Sequence, residues 1–322
     1  MGCVRVEASD FARWMGILKR IIGRSERPFR FVQIGDSWIK AWDGCAGVKI
    51  VAPFDFPPIS LPSDALASLS RICRGEMVIC RREQLTLECE DVRVIAKDLK
   101  LRLEEPVAGE EMGEAEDLIE GLDFVSKGLS EGDSLELHMG KRPLIYASIT
   151  GISALYILDG YGKKFSFSIP YQSARRIVKA LEGMKGWKLW AGKSLVFSRG
   201  DIEGFVCGDV LKETVAISRI GEWRELDETF KKAISRAADI LKSEAVISVK
   251  DGEIVIRGKR EGMELEIRER IEEDADLKFV ASLKGLRSYL SRMGKIRYSK
   301  GGGMVRFSDG KGKRYVVVKE AL

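Results

Sequence analysis

The chain has 322 residues, of which 45% are apolar and 32% are charged, and its formal net charge is +5. This length is sufficient for two or three globular domains, each with its own core. No apolar run approaches the roughly 18 residues needed to cross a bilayer. The first residues also lack a secretory signal, so we expect a cytoplasmic protein with no membrane partner.

Side-chain amides are scarce in this sequence. It contains no Asn and only three Gln, while charged residues are abundant, which is the pattern of hyperthermophilic proteins. The six cysteines, at positions 3, 45, 73, 80, 89 and 207, form no Cys-x-x-Cys pair and lie mostly in apolar stretches. We expect buried free thiols, with disulfides as the alternative that a hyperthermophilic origin allows. The single histidine, His138, lies far from any cysteine pair with ligand spacing, so we expect no metal and no cofactor.

Two kinds of amphipathic helix recur at intervals of about 110 residues. The first kind has its apolar positions at Phe11, Trp14, Met15, Leu18 and Ile22, then at Leu118, Leu122, Val125 and Leu129, then at Phe230, Ala233, Ile234, Ala237 and Leu241. The second kind has them at Leu66, Leu69 and Cys73, then at Ala174, Ile177, Val178 and Leu181, then at Leu286, Tyr289, Leu290 and Met293. Pro62 and Pro170 precede copies of the second kind, where a helix start tolerates a missing N–H. Asp10 and Asp227 suit helix caps or first turns.

Stretches of alternating apolar residues follow every predicted helix. Examples are "RFVQIGDSWIKAW", "LIYASITGISALYIL" and "AVISVKDGEIVIRG", and the Asp251-Gly252 pair in the last one predicts a hairpin. Each third of the chain therefore has the order helix, strands, helix, strands. This order predicts an α+β fold with three repeated domains, over 1–108, 109–212 and 213–322.

The residues of the last third resemble the DNA polymerase sliding clamp in its bacterial β-clamp form. The segment "LDETFKKAISRAADILKSEAVISVKDGEIVIRG" is similar to the start of that family's third domain. The ending "YVVVKEAL" stands where the family often ends in Tyr-Val-Val-Met-Pro-Met-Arg-Leu, and Arg27-Pro28 matches a pair after its first helix. The sequence departs from the family in lacking Phe-Pro-Asp-Tyr before the third domain and in having Lys319 and Glu320 in the tail. The resemblance implies a ring with helices inside and sheets outside.

Helices that line such a ring would face duplex DNA with Lys and Arg, because neutralised phosphates attract without regard to sequence. The cations on the predicted helices and just after the first one include Arg13, Lys19, Arg20, Arg27, Arg71, Arg74, Arg175, Arg176, Lys179, Lys231, Lys232, Arg236, Lys284, Arg287 and Arg292. Five of the six helices carry such a face, and solvation alone is the alternative explanation for each one. The helix near 114–129 is acidic instead, and the clamp interpretation gives no reason for it.

The resemblance also implies two contact regions. A homodimer would use Val94 on an edge strand of the first domain and Ile240 and Leu241 at the end of a third-domain helix. Peptides of polymerases and clamp loaders would bind a groove lined by Asp159, Gly160, Val316, Val318 and Leu322. The valines are equally compatible with a core strand.

The function predicted on this basis is that of a DNA sliding clamp, a processivity factor that encircles duplex DNA and tethers a polymerase. The alternative is a monomeric clamp-like decoy or adaptor that binds replication proteins without encircling DNA. An enzyme is the third possibility. The segment "GWKLWAGKS" is close to a phosphate-binding loop, but Gly192-Lys193-Ser194 lies between two predicted strands and fits a hairpin. The Gly301-Gly302-Gly303 run also fits a hairpin tip, and no motif indicates catalysis.

Overall fold

The structure is a computed structural model, and it describes all residues except 1, 24–29, 83, 91, 104–105, 108, 141, 150, 162–164, 212–221, 242, 273–274 and 322. The predicted DNA contact Arg27 and the predicted groove residue Leu322 lie outside the described residues. So does the "VAISRIG" segment, where the sequence departs from the clamp family.

The described residues form six α-helices, and all six lie where the apolar periodicity predicts them. They are α1 (Ala8–Ile22), α2 (Ser63–Ile72), α3 (Glu116–Ser126), α4 (Tyr171–Leu181), α5 (Glu228–Leu241) and α6 (Leu283–Leu290). Pro62 and Pro170 directly precede α2 and α4, as expected. The Asp227 carboxylate accepts the N–H groups of Thr229 and Phe230 and so caps α5. Arg292 lies beyond the end of α6.

Twenty-five strands accompany these helices in the described part of the chain. The strands of the first third are β1 (Gly2–Glu7), β2 (Phe31–Gly35), β3 (Trp38–Trp42), β4 (Ala46–Val51), β5 (Ile59–Pro62), β6 (Glu76–Arg81), β7 (Leu85–Cys89) and β8 (Val92–Ala96). Those of the second third are β9 (Glu110–Glu114), β10 (Ser134–Met139), β11 (Leu144–Ile149), β12 (Ile152–Ile157), β13 (Phe165–Pro170), β14 (Lys188–Ala191), β15 (Ser194–Arg199), β16 (Ile202–Cys207) and β17 (Asp209–Val210). Those of the last third are β18 (Arg224–Leu226), β19 (Glu244–Lys250), β20 (Glu253–Arg260), β21 (Met263–Arg270), β22 (Leu277–Ser282), β23 (Ile296–Gly301), β24 (Met304–Asp309) and β25 (Arg314–Lys319).

The order of elements shows a shorter repeat than the sequence suggested. A strand, a helix and three strands follow one another six times, from β1, α1 and β2–β4 to β22, α6 and β23–β25, with β17 as one extra strand. The strand that precedes each opening helix is absent from the sequence-based order of helix, strands, helix, strands. The fold is α+β, and every strand pairing between these elements is antiparallel.

The chain forms two compact units. One contains residues 1–116 and 172–208, and the other contains residues 117–171 and 209–322. The first unit has a four-stranded sheet with the order β1-β6-β7-β8 and an eight-stranded sheet with the order β5-β2-β3-β4-β16-β15-β14-β9. The second unit has a nine-stranded sheet with the order β17-β13-β10-β11-β12-β25-β24-β23-β18 and a four-stranded sheet with the order β21-β20-β19-β22.

The apolar stripe of each helix forms the core of its unit. Phe11 and Leu18 of α1 and Phe230 and Ile234 of α5 have no exposed surface. Burial of a large apolar side chain contributes about 1.5–3 kcal/mol, so these stripes fix which helix face turns outward. The cations that were predicted to contact DNA and lie on the described helices are off these stripes.

The expectation of free thiols is wrong. All six cysteines are paired, as Cys3–Cys80, Cys45–Cys207 and Cys73–Cys89, and all lie in the first unit. The partners are 77, 162 and 16 residues apart in sequence, yet their Cα atoms lie within 4.0–5.7 Å. Composition and spacing do not reveal such proximity, because the sheet register creates it.

Three predicted hairpins are confirmed. The Ala191–Ser194 turn joins β14 to β15, so the Gly-Lys-Ser segment lies in a hairpin and not at the start of a helix. Asp251 and Gly252 join β19 to β20, both with the positive φ that this turn requires. The three-glycine run lies at the tip between β23 and β24.

A glycine in β4 leaves room for an aromatic ring from the neighbouring strand of the eight-stranded sheet. A Cβ at Gly47 would lie 2.1 Å from the Phe205 ring of β16. We predict that Gly47→Ala lowers the free energy of unfolding by about 1–3 kcal/mol, because the ring must move. Gly16→Ala is the matched control, since Gly16 lies within α1 with nothing within 4 Å of the added carbon, and it should stabilise the protein by roughly 0.5–1 kcal/mol. Denaturant unfolding measures both, and similar effects of the two substitutions would contradict the packing argument.

Candidate nucleic-acid interface and subunit edges

The first unit presents cations from three helices. Arg13, Lys19 and Arg20 of α1 and Arg175 and Lys179 of α4 are exposed. Arg20 Nη1 donates to the Lys179 carbonyl oxygen at 2.8 Å, so the end of α1 and the end of α4 meet at one place. Lys19, Arg20 and Lys179 are thus gathered into one positive patch.

The other cations of the first unit lie at the end of α2. Arg71 and Arg74 are exposed, and Arg74 donates to the carbonyls of Arg71 and Cys73. Because α1 and α2 pack against each other, these side chains belong to the same unit as the α1 patch. A cation near the last turn also satisfies carbonyls that have no partner within the helix.

In the second unit, several of the cations predicted to contact DNA form ion pairs with carboxylates of the protein. Lys231 binds Glu228 and the Gly294 carbonyl, and Arg287 of α6 binds Asp239 of α5. A further pair joins Arg236 to Glu269, and Arg292 lies 3.9 Å from Asp123. Lys232 and Lys284 are exposed on α5 and α6.

Arg176 differs from the other predicted contacts, because it lies against a buried carboxylate. Its Nη1 lies 2.6 Å from Asp43 Oδ2, and the Asp43 side chain is only 1% exposed. Asp43 also accepts the N–H groups of Cys45 and Ala46 through its other oxygen. This cation therefore neutralises a buried charge within the first unit, a role that the helix periodicity did not reveal.

The acids of α3 also have partners. Glu116 accepts the N–H groups of Gly186 and Trp187 at 2.6 and 3.0 Å, and Glu120 binds Arg314. Burial alone would raise the pKa of Glu116, but these and other backbone N–H groups hold it below its ordinary value. The acidic character of this helix thus follows from contacts within the fold.

Asp117 is the most heavily bonded of the α3 acids. It accepts from the Tyr156 hydroxyl at 2.8 Å, from the Asp159 N–H at 2.7 Å and from Lys313 Nζ at 2.7 Å. Burial alone would lower the pKa of Lys313, but its bonds to Asp117 and Asp159 raise it above the ordinary value. The cluster ties α3 to β12 and to the turn before β25.

The predicted groove residues are only partly brought together. Asp159 and Gly160 are exposed, and Asp159 binds Lys313 two residues before Tyr315. Val316 and Val318 are 0% and 1% exposed, because β25 lies between β12 and β24.

The tail residue Glu320 has a definite role in the fold. Its carboxylate lies 2.8 Å from Lys300 Nζ, and its N–H donates to the Gly303 carbonyl. Ala321 donates to the Lys278 carbonyl, so the tail lies along the edge of β22. Glu320 thus anchors the tail to β23 through its ion pair with Lys300.

Two four-stranded sheets end on strands without a further neighbour. Among the described strands, β1 and β8 are the outer strands of one sheet, and β21 and β22 are those of the other. Val94 lies half-buried in β8, and Ile240 at the end of α5 is 48% exposed, while Leu241 is buried beside Gly258. Unpaired N–H and C=O groups along such strands favour pairing with another chain.

Neither a metal-ligand cluster nor a helix able to span a membrane occurs in the described part of the chain. Within it, no group of three or more His, Cys, Asp or Glu residues could hold a metal ion. No helix in the same part has the length and apolar content to cross a membrane.

Solved structures similar to this one are bacterial sliding clamps. The DNA polymerase III subunit beta of Pseudomonas aeruginosa is 13% identical, with a TM-score of 0.81 over 99% of this chain and 100% of that one. The beta clamp of Helicobacter pylori is 9% identical, with a TM-score of 0.80 over 100% of both chains. The beta subunit of Thermotoga maritima is 11% identical, with a TM-score of 0.77 over 99% of both chains. No family model matches the chain, and no curated protein matches it in sequence. At these identities the likeness establishes the sliding-clamp fold over the whole chain.

The Asp117 cluster gives a direct test of the explanation for α3. Asp117→Ala should lower the free energy of unfolding by about 2–3 kcal/mol, because the hydroxyl, N–H and ammonium donors lose a charged acceptor. Asp123→Ala is the control on the same helix, since its side chain is 35% exposed and pairs with Lys127, so its effect should stay within about 1 kcal/mol. Calorimetry of both variants decides the matter, and equal losses would contradict a special role for Asp117.

Proposed function

We propose that the chain is a non-enzymatic DNA sliding clamp, which acts in the cytoplasm as a replication processivity factor. Two copies would close around duplex DNA without regard to its sequence and tether a polymerase. The three repeated domains would be 1–108, 109–212 and 213–322, each built from two of the six strand–helix–strands repeats.

The pairing of the sheets is the observation that carries this proposal. Each of the six repeats ends in three strands that form a half-sheet with one further strand. Four half-sheets join in pairs, through β4 with β16 and through β12 with β25, always by their last strands. The remaining two end on β8 and β21, which are also last strands. Pairing β8 of one copy with β21 of another would repeat the same joint and leave neither edge open, as a closed head-to-tail dimer requires.

The charges on the helices support DNA as the molecule that passes through the proposed ring. Exposed cations lie off the apolar stripes of α1, α2, α4, α5 and α6, while the acids of α3 are bonded within the fold. Of the predicted contacts, Lys19, Arg71, Lys179 and Lys284 are exposed and are the best probes, because reversing Arg176, Arg287 or Arg292 would also break an ion pair. A ring with this lining would centre the duplex without gripping it.

We expect topology, and not charge alone, to hold the protein on DNA. Loaded onto a nicked circle, it should persist at salt concentrations that strip a surface binder, and it should dissociate when the circle is cut. Lys19→Glu, Arg71→Glu, Lys179→Glu and Lys284→Glu together should reduce loading while leaving the dimer intact. A clamp loader is present during loading, and gel filtration then separates DNA from free protein. The measurement is the amount of this protein that stays bound to circular and to linear DNA.

Equal retention on both forms, or none on either, would contradict encirclement. If the protein binds a polymerase but is not retained on either form of DNA, the monomeric adaptor would be favoured instead.

The subunit contact makes a second prediction. Ile240→Asp should weaken dimerisation by about tenfold or more, because a charge would be buried at the joint between β21 and β8. Val210→Asp is the matched control, since Val210 is 71% exposed on β17 of the nine-stranded sheet, which contains neither β8 nor β21, and it should leave the dimer unchanged. Sedimentation equilibrium gives both dissociation constants, and a monomeric wild-type protein at micromolar concentration would contradict the dimer itself.

Partner peptides of polymerase and clamp loader would bind beside the Asp159–Gly160 turn. One solved relative, the DnaN sliding clamp of Pseudomonas aeruginosa, is bound to griselimycin; it is 14% identical to this chain, with a TM-score of 0.79 over 99% of both chains. Here the exposed part of this region is the turn, while Val316 and Val318 are buried in β25, opposite Ala154 and Ile152 of β12. The groove lining is thus proposed to include the turn and the tail up to Leu322.

Gly160→Arg should block peptide binding, because a large side chain would occupy the exposed turn. Gly16→Arg is the control, since Gly16 is exposed in the first unit and, like Gly160, has no positive φ and nothing within 4 Å of an added carbon. Polymerase stimulation on primed circles should fall at least about tenfold for the first variant only. Unchanged stimulation by Gly160→Arg would argue against this groove.

A further inference from the structure

One joint of the eight-stranded sheet is held by two bonds of different chemistry. The joint is the ladder between β4 and β16, which pairs Ala46–Ile50 with Ile202–Val206 and is called the seam below. Its strands come from distant parts of the sequence, so the short loops that hold a hairpin together are absent here. At one end of the seam, Cys45 and Cys207 form a disulfide, and the Cys207 N–H donates to the Cys45 carbonyl at 2.8 Å.

The second bond lies beside the first. Asp43, two residues before Cys45, is buried and binds Arg176 of α4. α4 itself packs on β16, because Ile177 and Leu181 fill the space above Gly204. Arg176 therefore connects the helix on one side of the seam to the β3–β4 turn on the other.

We propose that the Cys45–Cys207 disulfide is a redox-sensitive latch on the seam, and that Asp43–Arg176 holds the seam when the disulfide is reduced. This goes beyond the proposed function and holds whether or not the chain encircles DNA. Opening of the seam would free α4, with Arg175 and Lys179, to move relative to α1 and its cations.

The three disulfides differ in their access to a reductant. Cys45 and Cys207 are partly exposed, whereas Cys73 and Cys89 are each 3% exposed. Exposed disulfides are the more readily reduced. A dithiol reductant would attack one sulfur as its thiolate, form a mixed disulfide and then close on itself. Two electrons and two protons would convert Cys45 and Cys207 to thiols, and the reductant would leave as a cyclic disulfide.

Cys3–Cys80 provides the matched comparison. It is also accessible, since Cys3 is exposed, but it joins β1 to β6, which lie outside the seam. Its loss should therefore leave the β4–β16 ladder unchanged.

Hydrogen exchange of the full chain tests the latch. In the wild-type protein, dithiothreitol should accelerate exchange of the β4 and β16 amides by about tenfold or more, with little change in β2 and β3. Cys45→Ser with Cys207→Ser should reproduce this effect without reductant, and Cys3→Ser with Cys80→Ser should not. Adding Arg176→Gln to the first pair should open the seam more than the sum of the separate effects, because each bond limits opening when the other is lost.

Thiol labelling during the same experiment reports whether Cys45 and Cys207 were reduced. Unchanged seam exchange after verified reduction would overturn the proposal. Equal acceleration across the whole first unit would also overturn it, because the disulfide would then be a general stabiliser. The reductant arm uses the wild-type protein with labelling of Cys3 and Cys80 followed separately, so the test remains decisive even if a serine variant fails to fold.

Discussion

Unpaired strand edges are the constraint on which the rest of this structure depends. A strand with open N–H and C=O groups invites pairing, and in this fold six half-sheets each present such a last strand. Four of them are satisfied within the chain, through β4 with β16 and β12 with β25. The two last strands that remain, β8 and β21, are what make a second copy the natural completion of this pairing. The proposed ring follows from this pairing rule more directly than from any single residue.

Some charged side chains form ion pairs within the fold, and others face outward from the helices. Arg176, Arg287 and Lys313 neutralise carboxylates within their units, and removing the cation costs most where the carboxylate is buried, as that of Asp43 is. Lysines such as Lys179 and Lys284 remain exposed on helices fixed by their apolar stripes. A modest net charge of +5 can therefore coexist with a locally positive surface. The acidic α3 adds to the internal ion pairs and explains part of that modest total.

The sequence predicted the six helices, because apolar spacing on a helix is a local property that packing preserves. It also predicted the hairpins at Asp251-Gly252 and Gly192-Ser194, where turn chemistry is local too. It did not predict the strands before the opening helices or the three disulfides, since both depend on which distant strands become neighbours. For the candidate site, periodicity identified the outward cations but not their partners: nothing near Arg176 in sequence points to Asp43, 133 residues away.

The central claim is that two copies pair through β8 and β21 around duplex DNA. Cryo-electron microscopy of the protein loaded on a nicked circle tests this most directly. The account predicts a closed ring of two chains, with β8 of each continuous with β21 of the other and the duplex passing through the opening past α1 and α4. Single chains lying against the side of the duplex, with β8 and β21 uncovered, would contradict it.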